Sequence, residues 1–497
     1  MTTLSEMFFS VARRHAERPA VVEAGVAISY AGLEERVVAL AASLHAQGVR
    51  RDDRVALVLP NGVAFVVAYF ASAALGAVVV PLNESYQETE LLRFLRECRV
   101  SCVVTAHEHE PRCRALLPAL GPGSTVLVLD AAGVDGRRPR APRPPLEGAL
   151  GADAPAMCQF SSGSTGRPKR IVRTHAQLLA ELESLAGSLG FSPTDRFLGV
   201  APFSHVNGLM RTMMASVHAG ATLYPLPRFE RQAVVGLIED ARLSVFIAVP
   251  FVFAMLARAQ FRRRPDLSSL RVCVSASAPF PAALNLAFRD RFGFHVRQLY
   301  GSTETGSISV NLLPDVSETL ESVGRPLPGV AVEVCRADGR PTPDGEVGEI
   351  AVKSRFAITA YEGPADGTGQ PFRDGFFLTR DLGRRDASGL LYLLGRTSLL
   401  INRGGYKVNP REIEEVLESH PKVDEAVALG VPTPYGDERI RAVIVANAAC
   451  TEEELVEYCR SRIAPFKVPS VIEIRDSLPR SAAGKIRREA LREGLDP

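Results

Sequence analysis

Residues Ser161-Ser162-Gly163-Ser164-Thr165-Gly166-Arg167-Pro168-Lys169 combine what a polyphosphate needs from a protein. Glycines at 163 and 166 let the backbone turn tightly and aim N–H groups at an anion. The hydroxyls add donors, and Lys169 adds a positive charge. The spacing departs from the Walker loop, because the two glycines lie only three apart and Pro168 precedes the lysine. Taken alone, the same run also suits a flexible Ser/Gly loop.

A second candidate is Gln298-Leu299-Tyr300-Gly301-Ser302-Thr303-Glu304. Tyr300 can stack on a base, Gly301 permits close approach, and Thr303 can bond a phosphate oxygen. Glu304 is a hard oxygen ligand suited to the magnesium that accompanies ATP. Asp381 offers an acceptor for ribose hydroxyls, and Arg396 a guanidinium fork for phosphate or ribose. Near the C-terminus, Lys485 follows Ser481-Ala482-Ala483-Gly484; an isolated lysine there would read as a solvated charge. Cys98, Cys102, His107, His109 and Cys113 crowd together, but their spacing fits no zinc pattern, and the expectation is buried, inert thiols.

These groups need a scaffold, and the hydrophobic pattern supplies one. Leu33, Val37, Leu40 and Leu44 recur at helical spacing before Gly48. Val55 to Leu59 reads as a buried strand, as do Thr125 to Leu129, Val245 to Val249 and Val272 to Val274. Val63 to Leu82 carries no charge and is long enough for a membrane span. Gly76 divides it, however, and Val78-Val79-Val80-Pro81 is β-branched, so a buried helix running into a buried parallel strand is expected, with no membrane span. The strand before the Ser/Gly loop is Ala156 to Phe160. Residues 133–151, rich in Arg, Pro and Gly, read as an exposed loop.

Beyond Gly395 short elements follow in quick order: a helix at Pro410 to Ser419, strands at Val423 to Leu429 and Ile440 to Ala446, and a helix at Glu452 to Ile463. Thr451 and Glu454 suggest a capping box for the last. The fold class expected is α/β: a large N-terminal domain, residues 1–396, with parallel-rich sheets flanked by helices, plus a small mobile α+β C-terminal domain, residues 397–497. The 497 residues carry a net charge of +2, which gives no electrostatic reason to expect nucleic acid. Met1 to Ala16 has Arg13 and Arg14 but no long apolar core, so no signal peptide is expected. The eight scattered cysteines, without a CxxC pair, fit a reducing cytoplasm.

The elements occur together and in a fixed order, and in this the chain resembles the adenylate-forming superfamily of acyl-CoA synthetases, peptide-synthetase adenylation domains and luciferases. The resemblance spans essentially the whole chain. It includes Ala201 to Leu209, Ser275 to Pro279, Gly348-Glu349-Ile350 and the run from Gly404 to Glu414. It implies that ATP and a carboxylate give an acyl-adenylate, from which a thiol, coenzyme A or a carrier-protein phosphopantetheine, displaces AMP. Carried over, Ser161, Ser162, Gly163, Ser164, Thr165, Gly166 and Lys169 cradle the β- and γ-phosphates. Ser277, Ala278 and Pro279 line the adenine with Gln298, Leu299 and Tyr300. Gly301 and Thr303 approach the α-phosphate, Glu304 binds Mg2+, and Asp381 holds the ribose with Arg396. Lys485 is the adenylation lysine, and His205 the gate between acyl and thiol pockets. Gly404, Gly405 and Lys407 belong to a hairpin that a second domain arrangement presents to a thiol tunnel. The hinge position, usually Asp or Lys, is Ser398 here, followed by Leu399. Arg380 replaces a glycine common before the ribose aspartate.

No acid occurs from Phe203 to Met214, so the ammonium of an α-amino acid would lack a partner. Asn207 is the expected polar handle, while Gly208, Gly301, Ser302 and Gly306 leave room for an acyl or aryl group. Arg211 facing the pocket would pair with a second carboxylate, but on a helix it is expected to face outward. Arg228 matches a position where related ligases place a lysine near coenzyme A phosphates. The acceptor is therefore expected to be coenzyme A, with a carrier protein or an amine as rivals. A catalytically silent binder of nucleotide or acyl-adenylate is disfavoured, because lysine, glutamate, aspartate and arginine all stand in place.

Overall fold

The computed structural model describes residues 2–133, 150–161, 169–278, 280–336, 338–363, 371–396, 400–434, 436–479 and 488–491, apart from the side chains of Arg396, Arg411 and Glu489. Its body is α/β. One six-stranded sheet runs in the order Thr125–Leu129, Cys102–Ala106, Arg54–Val58, Val78–Leu82, Pro155–Ser161, Lys169–Thr174. The first five strands are parallel and the last is antiparallel. The uncharged stretch resolves as expected. Helix Val63–Ala74 is buried at every position, turns at Gly76 (φ +71°) and enters the wholly buried strand Val78–Leu82. Among the described residues no helix is long and apolar enough to cross a membrane.

A fourteen-stranded sheet forms the rest of the body. Pro19–Glu23, Thr222–Pro225, Arg196–Gly199, Val245–Ala248, Val272–Ala276 and Arg297–Ser302 run parallel side by side. At Gly306–Val310 the sheet turns antiparallel. Loops at the carboxyl ends of parallel strands gather where this change occurs, a position that favours ligand sites in α/β folds.

The small α+β unit pairs Val423–Pro432 antiparallel with Glu438–Ala446, which runs parallel to Val471–Arg475. Helices Pro410–Glu418 and Glu452–Arg460 bury Ile413, Leu417, Leu455 and Cys459 against it. The capping box is only half formed. Thr451 accepts from the Glu454 N–H, but the Glu454 carboxylate is drawn to Lys422 at 2.8 Å, an ion pair that outcompetes the backbone. Cys98, Cys102 and Cys113 are free and buried, with Cys98 Sγ 3.6 Å from Cys158 Sγ.

Candidate active site

The carboxyl ends of five parallel strands and a hairpin of the small unit enclose one cleft with a cavity volume of about 210 Å³. Buried Asn61 anchors one of its loops. The Asn61 amide donates to Ala201 O at 2.9 Å and its Oδ1 accepts from the Phe203 N–H at 2.7 Å, which pins the loop that carries His205. Gln159 fixes the same loop through Ser204 O.

The residues expected to meet phosphate and metal converge. Ser161, Lys169, Thr303 and Glu304 line the cleft. Tyr361, which belongs to none of the motifs, donates its hydroxyl to Glu304 Oε1 at 3.0 Å, and Lys169 Nζ lies 4.9 Å from its ring centre. Ser277 lines the cleft with φ +77°, and Arg380 does so with φ +60°. Both occupy the left-handed region that side chains other than glycine rarely adopt. The substitution of glycine by Arg380 therefore carries backbone strain.

Several expected nucleotide contacts sit behind the cleft wall. Tyr300 is buried, and its hydroxyl donates to Asp381 Oδ2 at 2.6 Å. Gln298 braces the loop from Ala278 by accepting from the Phe280 N–H at 3.1 Å, and Leu299 packs in the core. Arg396 lies opposite Asp381 in the register of their paired strands. Ser162 to Pro168, Pro279, Ser398, Leu399 and Lys485 lie outside the described residues.

On the acyl side His205, Asn207, Gly301 and Ser302 line the cleft. Three glycines do not provide room as expected, Gly301 among them, where a Cβ would lie 2.3 Å from Gly306 O. A Cβ on Gly208 would come within 2.3 Å of Ala201 O, and one on Gly306 within 2.7 Å of Glu181 Oε2, so all three serve close packing. Arg211 also departs from expectation. Residues Leu209–Met214 are π-helical and buried throughout, so this segment has no solvent face and Arg211 is 1% exposed against the cleft. Arg228 is exposed on the surface and is not part of the cleft lining.

The small unit closes the cleft. Ile401–Arg403 and Tyr406–Val408 form a hairpin whose two turn residues, Gly404 (φ +57°) and Gly405 (φ +86°), take the left-handed geometry that two-residue turns require. Gly404, Gly405 and Lys407 line the cleft. Gly405 packs so tightly on Val249 that a Cβ there would lie 2.3 Å from Val249 Cγ1. Tyr406 meets His205 edge-on, ring centres 4.9 Å apart, and stacks on Phe466 at 3.9 Å. Lys467, also unforeseen, bridges Glu90 of the body at 2.6 Å and Glu412 of the small unit at 2.7 Å. Burial works against its charge, but Glu412 and Glu90 hold the ammonium above the usual lysine range. Burial, with Lys467 nearby, pushes His205 down to about 4, so the imidazole is neutral at physiological pH.

Comparison with known proteins places this cleft in context. A sequence profile of the AMP-binding enzyme family matches residues 8–361, and one of the AMP-binding enzyme C-terminal domain matches residues 412–485. The chain is 33% identical to a feruloyl-CoA synthase of Amycolatopsis over 97% of its own length and 96% of that protein. It is 34% identical to a sulfoacetate–CoA ligase of Cupriavidus necator, over 94% and 92% of the two chains. The amide bond synthetase McbA of Marinactinospora thermotolerans superposes with a TM-score of 0.90 at 29% identity, covering 99% of each chain.

Proposed function

The chain belongs to the AMP-binding enzyme family, and from that premise we propose that it couples ATP to a carboxylic acid other than an α-amino acid, then passes the acyl group to a thiol. It is an AMP-forming acid–thiol ligase of the acyl-CoA synthetase type, and coenzyme A is the thiol its relatives favour. The observation that carries this reading is the convergence of Ser161, Lys169, Thr303 and Glu304 with the Gly404–Lys407 hairpin in one cleft.

In the first step a substrate carboxylate oxygen attacks the α-phosphorus, forming the mixed anhydride as pyrophosphate leaves. The charge that builds there is stabilised by preorganised donors and cations, Lys485 among them. The Glu304 carboxylate, steadied by Tyr361, fits a hard divalent ion. Magnesium held there with ATP would neutralise phosphate charge. In the second step a thiol sulfur attacks the acyl carbon and AMP leaves. The hairpin packed on His205 and Val249 supports this as the arrangement in which transfer occurs.

Pyrophosphate release across a panel of acids, with and without coenzyme A, tests the assignment. Acyl-CoA is the expected product. Adenylate that is discharged only onto an amine would favour amide synthesis, a reading encouraged by the likeness to an amide bond synthetase. Lys485→Ala should lower pyrophosphate release by ~10²–10³, the usual cost of one preorganised electrostatic donor. Transfer from supplied acyl-adenylate should stay near its normal rate. Equal loss of both steps would refute the role given to Lys485.

A further inference from the structure

Two buried guanidinium groups are linked to one carboxylate beside the acyl end of the cleft, Arg173 directly and Arg211 through Ser307. Arg173 Nη1 donates to Glu181 Oε2 at 2.6 Å, and both side chains are fully buried. Ser307 donates to Glu181 Oε1 through its N–H and its hydroxyl, each at 2.9 Å, and accepts from Arg211 Nε at 3.1 Å. The cluster is thus left with one positive charge in excess. Burial pushes Arg211 down only to about 10, with Glu181 supporting its charge and Arg173 opposing it, so it is protonated at neutral pH.

The excess charge points at the cleft. Arg211 Nη2 has no hydrogen-bond partner among the described residues. It lies against Gly301, where an added Cβ would approach it to 2.4 Å, and both residues line the cavity. One turn earlier, Asn207 lines the same wall with both amide atoms lacking partners among the described residues. A buried charged donor left unpaired is costly, and a neutral acceptor would satisfy the hydrogen bond but not the charge. π-helical segments of this kind are frequent at functional sites.

We propose that Arg211 and Asn207 form the recognition site for a second, anionic group at the far end of the acid, a carboxylate or sulfonate, so that the preferred substrates are diacids. This rests on the ligase reading above. An anion there completes the charge balance and gives Arg211 the charge-assisted bonds its remaining donors lack.

The test compares kcat/KM for pyrophosphate release in matched pairs: adipate against hexanoate, and terephthalate or 4-sulfobenzoate against 4-methylbenzoate. The expected result is a preference of about 10²-fold for the anionic member of at least one pair, the two aryl anions separating carboxylate from sulfonate. Arg211→Met should collapse that ratio by a similar factor, and Arg211→Lys should restore part of it. Asn207→Asp, which sets a carboxylate beside Arg211, should reverse the preference and does not require removal of a buried arginine. Turnover of the monoacids with no anionic preference, or a preference that none of these variants moves, overturns the inference and leaves the ligase reading intact. No pyrophosphate from any acid overturns both.

Discussion

The body wall of the cleft and the seam with the small unit are built on opposite terms. On the wall, Arg211 Nη2, both amide atoms of Asn207 and His205 Nε2 lack partners among the described residues, and Ser277 and Arg380 hold left-handed backbones without being glycine. At the seam the buried cation Lys467 has two carboxylates, the aromatic rings stack, and the left-handed positions are Gly404 and Gly405. Unsatisfied groups and strain persist only where something over-determines them, and they cluster at sites that bind. The wall is therefore set up for ligands, whereas the buried cation of the seam is already satisfied by the protein's own carboxylates. Opening the seam would separate Lys467 from Glu90 but keep it with Glu412, which travels on the same unit.

The largest effect expected comes from breaking the seam. Lys467→Met leaves Glu90 and Glu412 buried without a cation, a change that costs ~3 kcal/mol or more in comparable pairs. Because the Lys467–Glu90 pair spans the seam, the rate of acyl transfer from supplied adenylate should fall ~10²-fold, with a smaller loss in pyrophosphate release. Equal losses would mean that Lys467 supports the fold rather than the docked arrangement. Gly405→Ala should act in the same direction, lowering transfer by about tenfold or more. It strains a turn at φ +86° and drives a methyl into Val249, whose branched side chain has little freedom to yield. Normal transfer in this variant would show that the hairpin does not approach Val249 during turnover.

Much of this contrast was legible in the sequence, and the limits have physical causes. Composition and period found the parallel strands and the buried Val63–Leu82 pair, because burial on both faces leaves an apolar run with few other readings. Motif order brought Ser161, Lys169, Thr303, Glu304 and the Gly404–Lys407 hairpin to one cleft. Arg211 was misjudged because helical periodicity assumes a solvent face, and this helix has none. Gly208, Gly301 and Gly306 were misjudged because a missing side chain looks alike whether it makes room for a ligand or for a neighbouring group. Lys467 and Tyr361 belong to no local pattern; their partners Glu90 and Glu304 are far away in sequence.

A smaller effect tests whether strain on the wall is retained for use. Arg380→Gly should relieve ~1–2 kcal/mol of left-handed backbone cost, less ~0.5–1 kcal/mol of added chain entropy. The net expectation is a stabilisation of about 0.5–1 kcal/mol, read as a higher denaturant midpoint. If the arginine side chain contributes to the nucleotide side of the cleft, the KM for ATP rises in the same variant. A lower midpoint with an unchanged KM would show that packing of the arginine side chain within the protein outweighs the strain, since the backbone N–H of residue 380, bonded to Glu349 Oε1 at 2.9 Å, is kept in the glycine variant.

The smallest effect lies where wall and seam meet. His205 is pushed down to about 4 by burial and by Lys467, and Tyr406 of the seam packs on its ring. When the small unit withdraws, water returns and the imidazole moves toward its ordinary value near 6.5. A group depressed in the docked state favours docking fully above the undocked value, and loses that contribution as pH falls through 6.5 toward 4. Acyl transfer should therefore drop about threefold between pH 7 and pH 6, where the undocked imidazole begins to take a proton that the docked one refuses. Pyrophosphate release, which the same docking does not assist, should change less over that interval. His205→Phe keeps an aromatic edge for Tyr406 and removes the titration, so its transfer profile should be flat across this range. A profile that retains the drop would assign the titration to another group and sever the link between the imidazole on the wall and the position of the seam.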